Sequence, residues 1–464
     1  MKYWLLFLCL FAAVSSWSEN TYYRFRVYLK DKGNQTCNTD HPEAFLSEAA
    51  ILRREQQQIH VSYSDLPISN SYKEQLANCG CALITESRWL STVVVEYPDS
   101  SLVEKLKRLA FVDSVCWVWK GKHIPLQEPD HTETLHPDHT ETLHIDKKIL
   151  RNRYGYAQKQ IRMMKGDKLH KRGFRGEGMR IAVIDAGFTD VNRIDAFAST
   201  HIEGTRNIVY PGKTVYASDA HGTKVLSCLA ANLPGIMTGT APEATYWLIK
   251  SEDSNGESPI EQDYWAAAVE YADSVGAYIV SSSLGYFDFD EPATDYTHED
   301  LTGRKAFISQ AAQMAAEKGL LVFTSAGNEG NTRWEKITVP ADTPDILTVG
   351  AVTEKQKRSD FSSMGPTADG RIKPDVAAMG TNCCVIEPGG FIRQANGTSF
   401  STPILAGLGA CLWQALPQLN AAEIRVLIKQ YASQAKQPDN ELGYGVPNMY
   451  KSYKAGLKDG SKRR

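Results

Sequence analysis

The sequence predicts an α/β fold, a doubly wound parallel sheet with helices on both faces, preceded by a small α+β domain. Three observations predict it. From residue 158 onward, short continuous apolar runs alternate with helical stretches, the pattern of strands buried on both faces and joined by crossover helices. Residues 19–122 alternate strand-like and helix-like segments on a smaller scale. The chain of 464 residues also exceeds what one hydrophobic core holds, since single cores stop growing at about 250–300 residues. Composition is that of an ordinary globular protein, 42% hydrophobic and 23% charged with a formal net charge of −3, so neither nucleic acid nor an anionic membrane is indicated as a partner.

Taken in order, residues 1–18 read as a signal peptide. Lys2 supplies the positive charge, 4–14 an almost unbroken apolar run, and Ser15, Ser16 and Ser18 the small residues that follow. The run is too short to cross a bilayer, so export is expected, to the medium, the periplasm or the cell envelope. Cys9 lies inside the apolar run without small residues before it, which argues against a lipoprotein-type cleavage site. Eight further cysteines follow; Cys228 and Cys411, in apolar helical stretches, read as small buried hydrophobes, and no spacing resembles a zinc site.

The small domain, 19–122, reads as strand 22–29, helix 43–58, strand 89–97, helix 101–109 and strand 114–119. A linker is expected at 123–157. Within it Pro129-Asp130-His131-Thr132-Glu133-Thr134-Leu135-His136 is repeated without change at 137–144, a polar, proline-bracketed duplication better suited to a solvated connection than to a metal site. The larger domain, 158–464, has strand-like runs at 181–184, 246–249, 278–280, 320–323 and 346–349, with helices 261–275 and 304–318 closed by Gly276 and Gly319.

In parallel sheets ligands sit at the carboxyl ends of the strands, so the residues after each run carry the chemistry. Asp185 follows 181–184. His221 opens the apolar stretch 225–231, and Ser399 lies in Gly397-Thr398-Ser399-Phe400-Ser401-Thr402-Pro403. Each alone has an ordinary structural explanation, a helix cap or a strand end. Together, each within two positions of a glycine and in the chain order Asp, His, Ser, they match one of the orders of the nucleophilic triad.

With these residues, His221-Gly222-Thr223, and the segments Val322-Phe323-Thr324-Ser325-Ala326-Gly327-Asn328, Ser283-Leu284-Gly285, Ser359-Asp360-Phe361-Ser362-Ser363 and Lys373-Pro374-Asp375, the chain resembles the subtilisin-like serine proteases over about 158–448. The resemblance implies Asp185, His221 and Ser399 as catalytic residues and Asn328 as oxyanion donor. It implies Ser283, Leu284, Gly285, Ala326 and Gly327 as substrate-binding residues bordering the S1 pocket. It further implies that the first domain, ferredoxin-like in fold, is an inhibitory propeptide removed by cleavage between Trp119 and Tyr154, and that the partners are peptide or protein substrates and this propeptide. A monomer without nucleic acid is expected. Most members carry Met after the nucleophile where this chain has Phe400, which bears on oxidation sensitivity and not on the chemistry. The resemblance fixes no cofactor; structural calcium is common in the family, and the acidic stretch Asp288, Asp290, Glu291, Asp295, Glu299, Asp300 is the place to look, although it shows no fixed ligand spacing and reads as a solvated loop. Two glycosylation sequons, at Asn34 and Asn396, carry no argument.

Overall fold

The computed structural model describes residues 21–34, 36–122 and 152–462; the signal peptide expected at 1–18, most of the linker expected at 123–157 and Gln35 of the Asn34 sequon lie outside the described residues. The first domain is a four-stranded antiparallel sheet of β1 (Thr21–Leu29), β2 (Ala82–Ser87), β3 (Thr92–Tyr97) and β4 (Val112–Lys122), ordered β2-β3-β1-β4. With helices Glu48–Gln56, Asn70–Ala77 and Leu102–Leu106 in the connections, this is the ferredoxin-like arrangement. Side chains alternate across β1: Phe25, Val27 and Leu29 enter the small domain's own core, while Arg24 and Arg26 point to the other face. The predicted helix 43–58 begins only at Glu48, because the Ser47 side chain caps it by accepting the Ala50 N–H. Helix Asn70–Ala77 and strand β2 were not anticipated; their sequences are polar and carry little periodicity.

The large domain is built on β5 (Arg180–Asp185), β6 (His201–Asn207), β9 (Thr245–Lys250), β10 (Ile279–Ser282), β11 (Leu321–Ser325), β12 (Leu347–Val352) and β13 (Val376–Met379), all paired in parallel and ordered β13-β12-β11-β10-β5-β9-β6. Short antiparallel pairs, β7 (Asn232–Leu233) with β8 (Met237–Thr238) and β14 (Cys383–Ile386) with β15 (Ile392–Ala395), lie outside this sheet. The predicted doubly wound sheet is present. Its expected strands were buried, apolar ones; β6, largely exposed at the edge, gave no apolar run to read, and β13, though apolar and buried, was missed because it is only four residues long.

The chain builds one side of the sheet from β5 through β6 and β9, then crosses to β10 on the other flank of β5. The switch point therefore falls between β5 and β10, where such sheets bind ligands. Helix Thr398–Ala415 is buried almost throughout and packs against β10, β11, β12 and β13, with Cys411 wholly enclosed. Cys228 is equally buried, in helix His221–Ala230. Tyr154 and Ala157, at the end of the segment assigned to the linker, are buried against the large domain, and Gly155 bridges to Met237.

The small domain sits on helices Glu261–Ser274 and Phe307–Glu317. Trp89, Val94 and Val118 share an apolar cluster with Tyr264, Trp265 and Phe307, and charged pairs surround it. Arg26 makes a bidentate pair with Asp263 at 2.6 Å, and Arg24 donates to the Tyr264 hydroxyl at 2.6 Å. Arg53 and Arg54 both bind Asp273, and Lys318 binds Asp65 at 2.8 Å. Ile260, at the start of helix Glu261–Ser274, donates to the carbonyl of Val118 at 3.1 Å. That helix starts from the carboxyl edge of the sheet, so β4 leaves the small domain beside the same edge.

Candidate active site

Asp185 is the last residue of β5 and is fully buried. Its Oδ1 accepts from the Ala186 N–H at 2.8 Å and from Nδ1 of His221 at 2.7 Å. His221 is the first residue of its helix, where the backbone N–H has no helical partner and donates instead to Asp219 Oδ1 at 2.7 Å. The approach of this helix to β5 depends on Gly222: a Cβ there would lie 2.3 Å from the Gly187 carbonyl and 3.0 Å from Cβ of Asp185. Glycine is thus what lets the imidazole meet the carboxylate. Burial alone would depress the His221 imidazole, but the charge and hydrogen bond of Asp185 outweigh it and hold the pKa above its usual 6.5.

Ser399 is the second residue of helix Thr398–Ala415 and is 8% exposed. Pro403 has no N–H, so it leaves the Ser399 carbonyl without its helical partner four residues on. The Ser283 hydroxyl takes that place, donating to the Ser399 carbonyl at 2.8 Å. The proline thereby ties the start of this helix to the end of β10. The Ser399 Oγ lies 3.5 Å from the Ser283 carbonyl, and among the described residues no hydrogen bond joins it to His221. The two helix starts nevertheless face each other, since the Phe400 ring lies 6.3 Å from the His221 ring.

Asn328 follows β11 and is exposed. Its side-chain oxygen accepts both the backbone N–H and the hydroxyl of Thr398, each at 2.9 Å. With the oxygen anchored there, the NH2 end is left for the cleft, beside the residue preceding Ser399. Ser283, Leu284 and Gly285 continue β10 and Ala326 and Gly327 continue β11, so the residues expected to border a substrate pocket run side by side out of adjacent parallel strands.

The acidic stretch 288–300 does not fit a calcium cage. Asp290 accepts from the Glu257 N–H, Asp295 from the Phe289 N–H, and Asp300 from the Thr297 N–H and Lys305, so these three of its six carboxylates already serve local partners, and among the described residues the six do not converge on one point. Among the described residues, the carboxylates that do converge are Glu252, Glu257 and Glu261, within 4.8 Å of one another after β9. Burial first, and then repulsion, from Glu257 on Glu252 and from Glu252 and Glu257 on Glu261, raise the pKa of Glu252 and Glu261. Nothing in the sequence signalled this group.

Comparison with known proteins agrees with the geometry. Residues 176–445, more than half of the chain, match the family model described as the subtilase family, Peptidase S8. The chain belongs to the subtilase family. Residues 24–134 match the Peptidase S8 propeptide domain of Bacteroidota, so the chain carries a propeptide domain, and all but the first three residues of the ferredoxin-like sheet lie within it. M-protease of Shouchella clausii (strain KSM-K16) is 28% identical over 285 residues, 61% of this chain and 64% of that protein. Subtilisin BL of Lederbergia lenta is 29% identical over 281 residues, 60% of this chain and 92% of that one. Subtilisin E of Bacillus subtilis (strain 168) is 29% identical over 285 residues, 60% and 66%. The chain thus spans just under two thirds of the M-protease's length. Among the described residues no helix is long and apolar enough to cross a membrane.

Proposed function

We propose that the chain is an exported serine endopeptidase, made as an autoinhibited zymogen, that hydrolyses peptide bonds through an acyl-enzyme at Ser399. The observation that carries this reading is the 2.7 Å hydrogen bond between buried Asp185 and His221 at the switch point, with the Ser399 helix start facing it. A serine hydroxyl is a weak nucleophile at neutral pH, so His221 takes its proton as general base and returns it to the leaving amine as general acid. A rotation about χ1 of Ser399 carries its Oγ from the Ser283 carbonyl toward Nε2 of His221. Asp185 holds the imidazole in the tautomer that leaves Nε2 free to accept, and steadies the imidazolium. The oxyanion accepts from the Asn328 amide and from the Ser399 N–H, in the first turn of a helix whose dipole favours negative charge.

In this reading residues 1–18 are removed on export to the medium or the cell envelope, 19–122 are the propeptide, 123–157 connect it, and 158–464 are the monomeric catalytic unit. Its partners are peptide substrates and its own propeptide, without nucleic acid. The exit of β4 beside the carboxyl edge of the sheet supports autoinhibition, because Asp185, His221 and Ser399 stand at that same edge. The test is a fluorophosphonate probe on the exported, processed protein. Labelling at Ser399, abolished in Ser399→Ala together with casein hydrolysis, is the expected result. No labelling and no hydrolysis in the wild type would reduce the fold to a binding module.

A further inference from the structure

We propose that Thr338 closes the far end of the slot between Ser283–Gly285 and Ala326–Gly327 and so restricts the residue on the acyl side of the scissile bond to small, uncharged side chains. This rests on the peptidase reading above and names its substrate class. The two walls prolong adjacent parallel strands, with Ser282 paired to Thr324, and each wall carries a glycine beyond the sheet's edge. Glycines on facing walls leave a gap between two backbones. Thr338, from a third segment, stands against both: a Cβ on Gly285 would lie 2.3 Å from its Oγ1, and a Cβ on Gly327 would lie 2.9 Å from its Cγ2 and 3.1 Å from its Oγ1, with Ser363 Oγ at 2.8 Å beside it. Both walls therefore end on the same threonine.

Thr338 cannot swing aside. Its N–H donates to the Ala326 carbonyl at 3.2 Å, and its neighbour Val339 exchanges two backbone hydrogen bonds, 2.9 and 3.0 Å, with Tyr286, so the backbone is stitched to both walls. The side chain is β-branched and stiff at χ1, and the residue is only 4% exposed. What remains above it is shallow. The side chains nearest the two glycines, Thr338 and Ser363, are neutral, so a charged substrate side chain reaching them would lose its hydration without gaining a charged partner there. Glycine, alanine and serine fit; phenylalanine, leucine, lysine and glutamate do not.

The test compares processed wild type, Thr338→Gly and Thr338→Val on peptides that differ only at that position, Ala, Leu, Phe, Glu or Lys, with active sites counted by the fluorophosphonate probe. Because each misfit methylene changes kcat/KM by roughly 10-fold or more, wild type should favour Ala over Phe by at least about 100-fold. Thr338→Gly should raise Leu and Phe by about 10-fold or more and leave Ala nearly unchanged, while Thr338→Val, equal in size, should keep the wild-type order. A wild type that cleaves after Phe as readily as after Ala, or a fully labelled Thr338→Gly with the wild-type order, overturns the proposal. Should Thr338→Gly fail to fold, Thr338→Ser, which removes only Cγ2, must shift the Leu-to-Ala ratio the same way or the proposal fails. A wild type that is not labelled at Ser399 overturns the peptidase reading instead, and this proposal with it.

Discussion

Replacing Asp273 by alanine should loosen the propeptide domain without loosening the enzyme. Asp273 lies near the end of helix Glu261–Ser274 and receives Arg53 on one carboxylate oxygen and Arg54, at 2.6 Å, on the other. All three side chains are sealed from water, at 0%, 0% and 1% exposure. Arg54 keeps a second carboxylate, Asp65, at 2.9 and 3.0 Å, whereas Arg53 has no other acidic partner among the described residues. Burial already pulls the Arg53 guanidinium below its usual range in spite of Asp273, so an unpaired Arg53 is the costly product of the change. Breaking a buried pair from one side costs about 3–5 kcal/mol, because the remaining charge is left desolvated. At 1.36 kcal/mol per decade, this weakens the docked propeptide by roughly 10²- to 10⁴-fold. The assay is serial dilution of the processed, still-associated protein, reading the concentration at which peptidase activity appears. The charged partners of Asp273, Arg53, Arg54 and Arg88, all belong to the small domain, so the thermal stability of the freed enzyme should change by no more than about 0.5 kcal/mol. Adding Arg53→Met should recover part of the loss, since an apolar pair replaces the orphaned charge. Activation within tenfold of the wild-type concentration would refute the reasoning.

Two further predictions concern catalysis. The general base must be neutral, so kcat/KM should rise with pH through a pKa above 6.5; Asp185→Asn removes the two largest raising influences and leaves Asp219, moving that inflection down and lowering kcat by about 10⁴-fold through loss of the correct tautomer. A pH profile of the residual activity checks this, and so does stability: the pair with protonated His221 stabilises the fold below the usual imidazole pKa, and that contribution is lost as pH rises through the raised one. Asn328→Ala should lower kcat by about 10²- to 10³-fold with little change in KM, as expected for a donor engaged only in the transition state, which steady-state kinetics on one peptide will show.

The readable parts of this protein were those in which a local run of residues carries its own physical reason. Buried strands such as 181–184 and 320–323 must be apolar on both faces, helices must stop at Gly276 and Gly319, and a glycine must stand beside His221 if its helix is to reach β5, so sheet, crossovers and the Asp185, His221 and Ser399 positions could be read before any coordinates. Edge strand β6 and strand β2 could not, because a half-exposed strand has no obligatory apolar pattern. Nor could anything that depends on residues meeting across the fold: Ser283 filling the hydrogen bond that Pro403 leaves open, Thr398 turning the Asn328 amide, Arg26 finding Asp263 across 237 positions, or Thr338 arriving between two glycines. The sequence alone was enough to propose which groups carry the chemistry, since that reading rests on residue type and local backbone. Tertiary structure decided how they are aimed and how much space a substrate is left, because those depend on distances between segments that the order of residues does not contain.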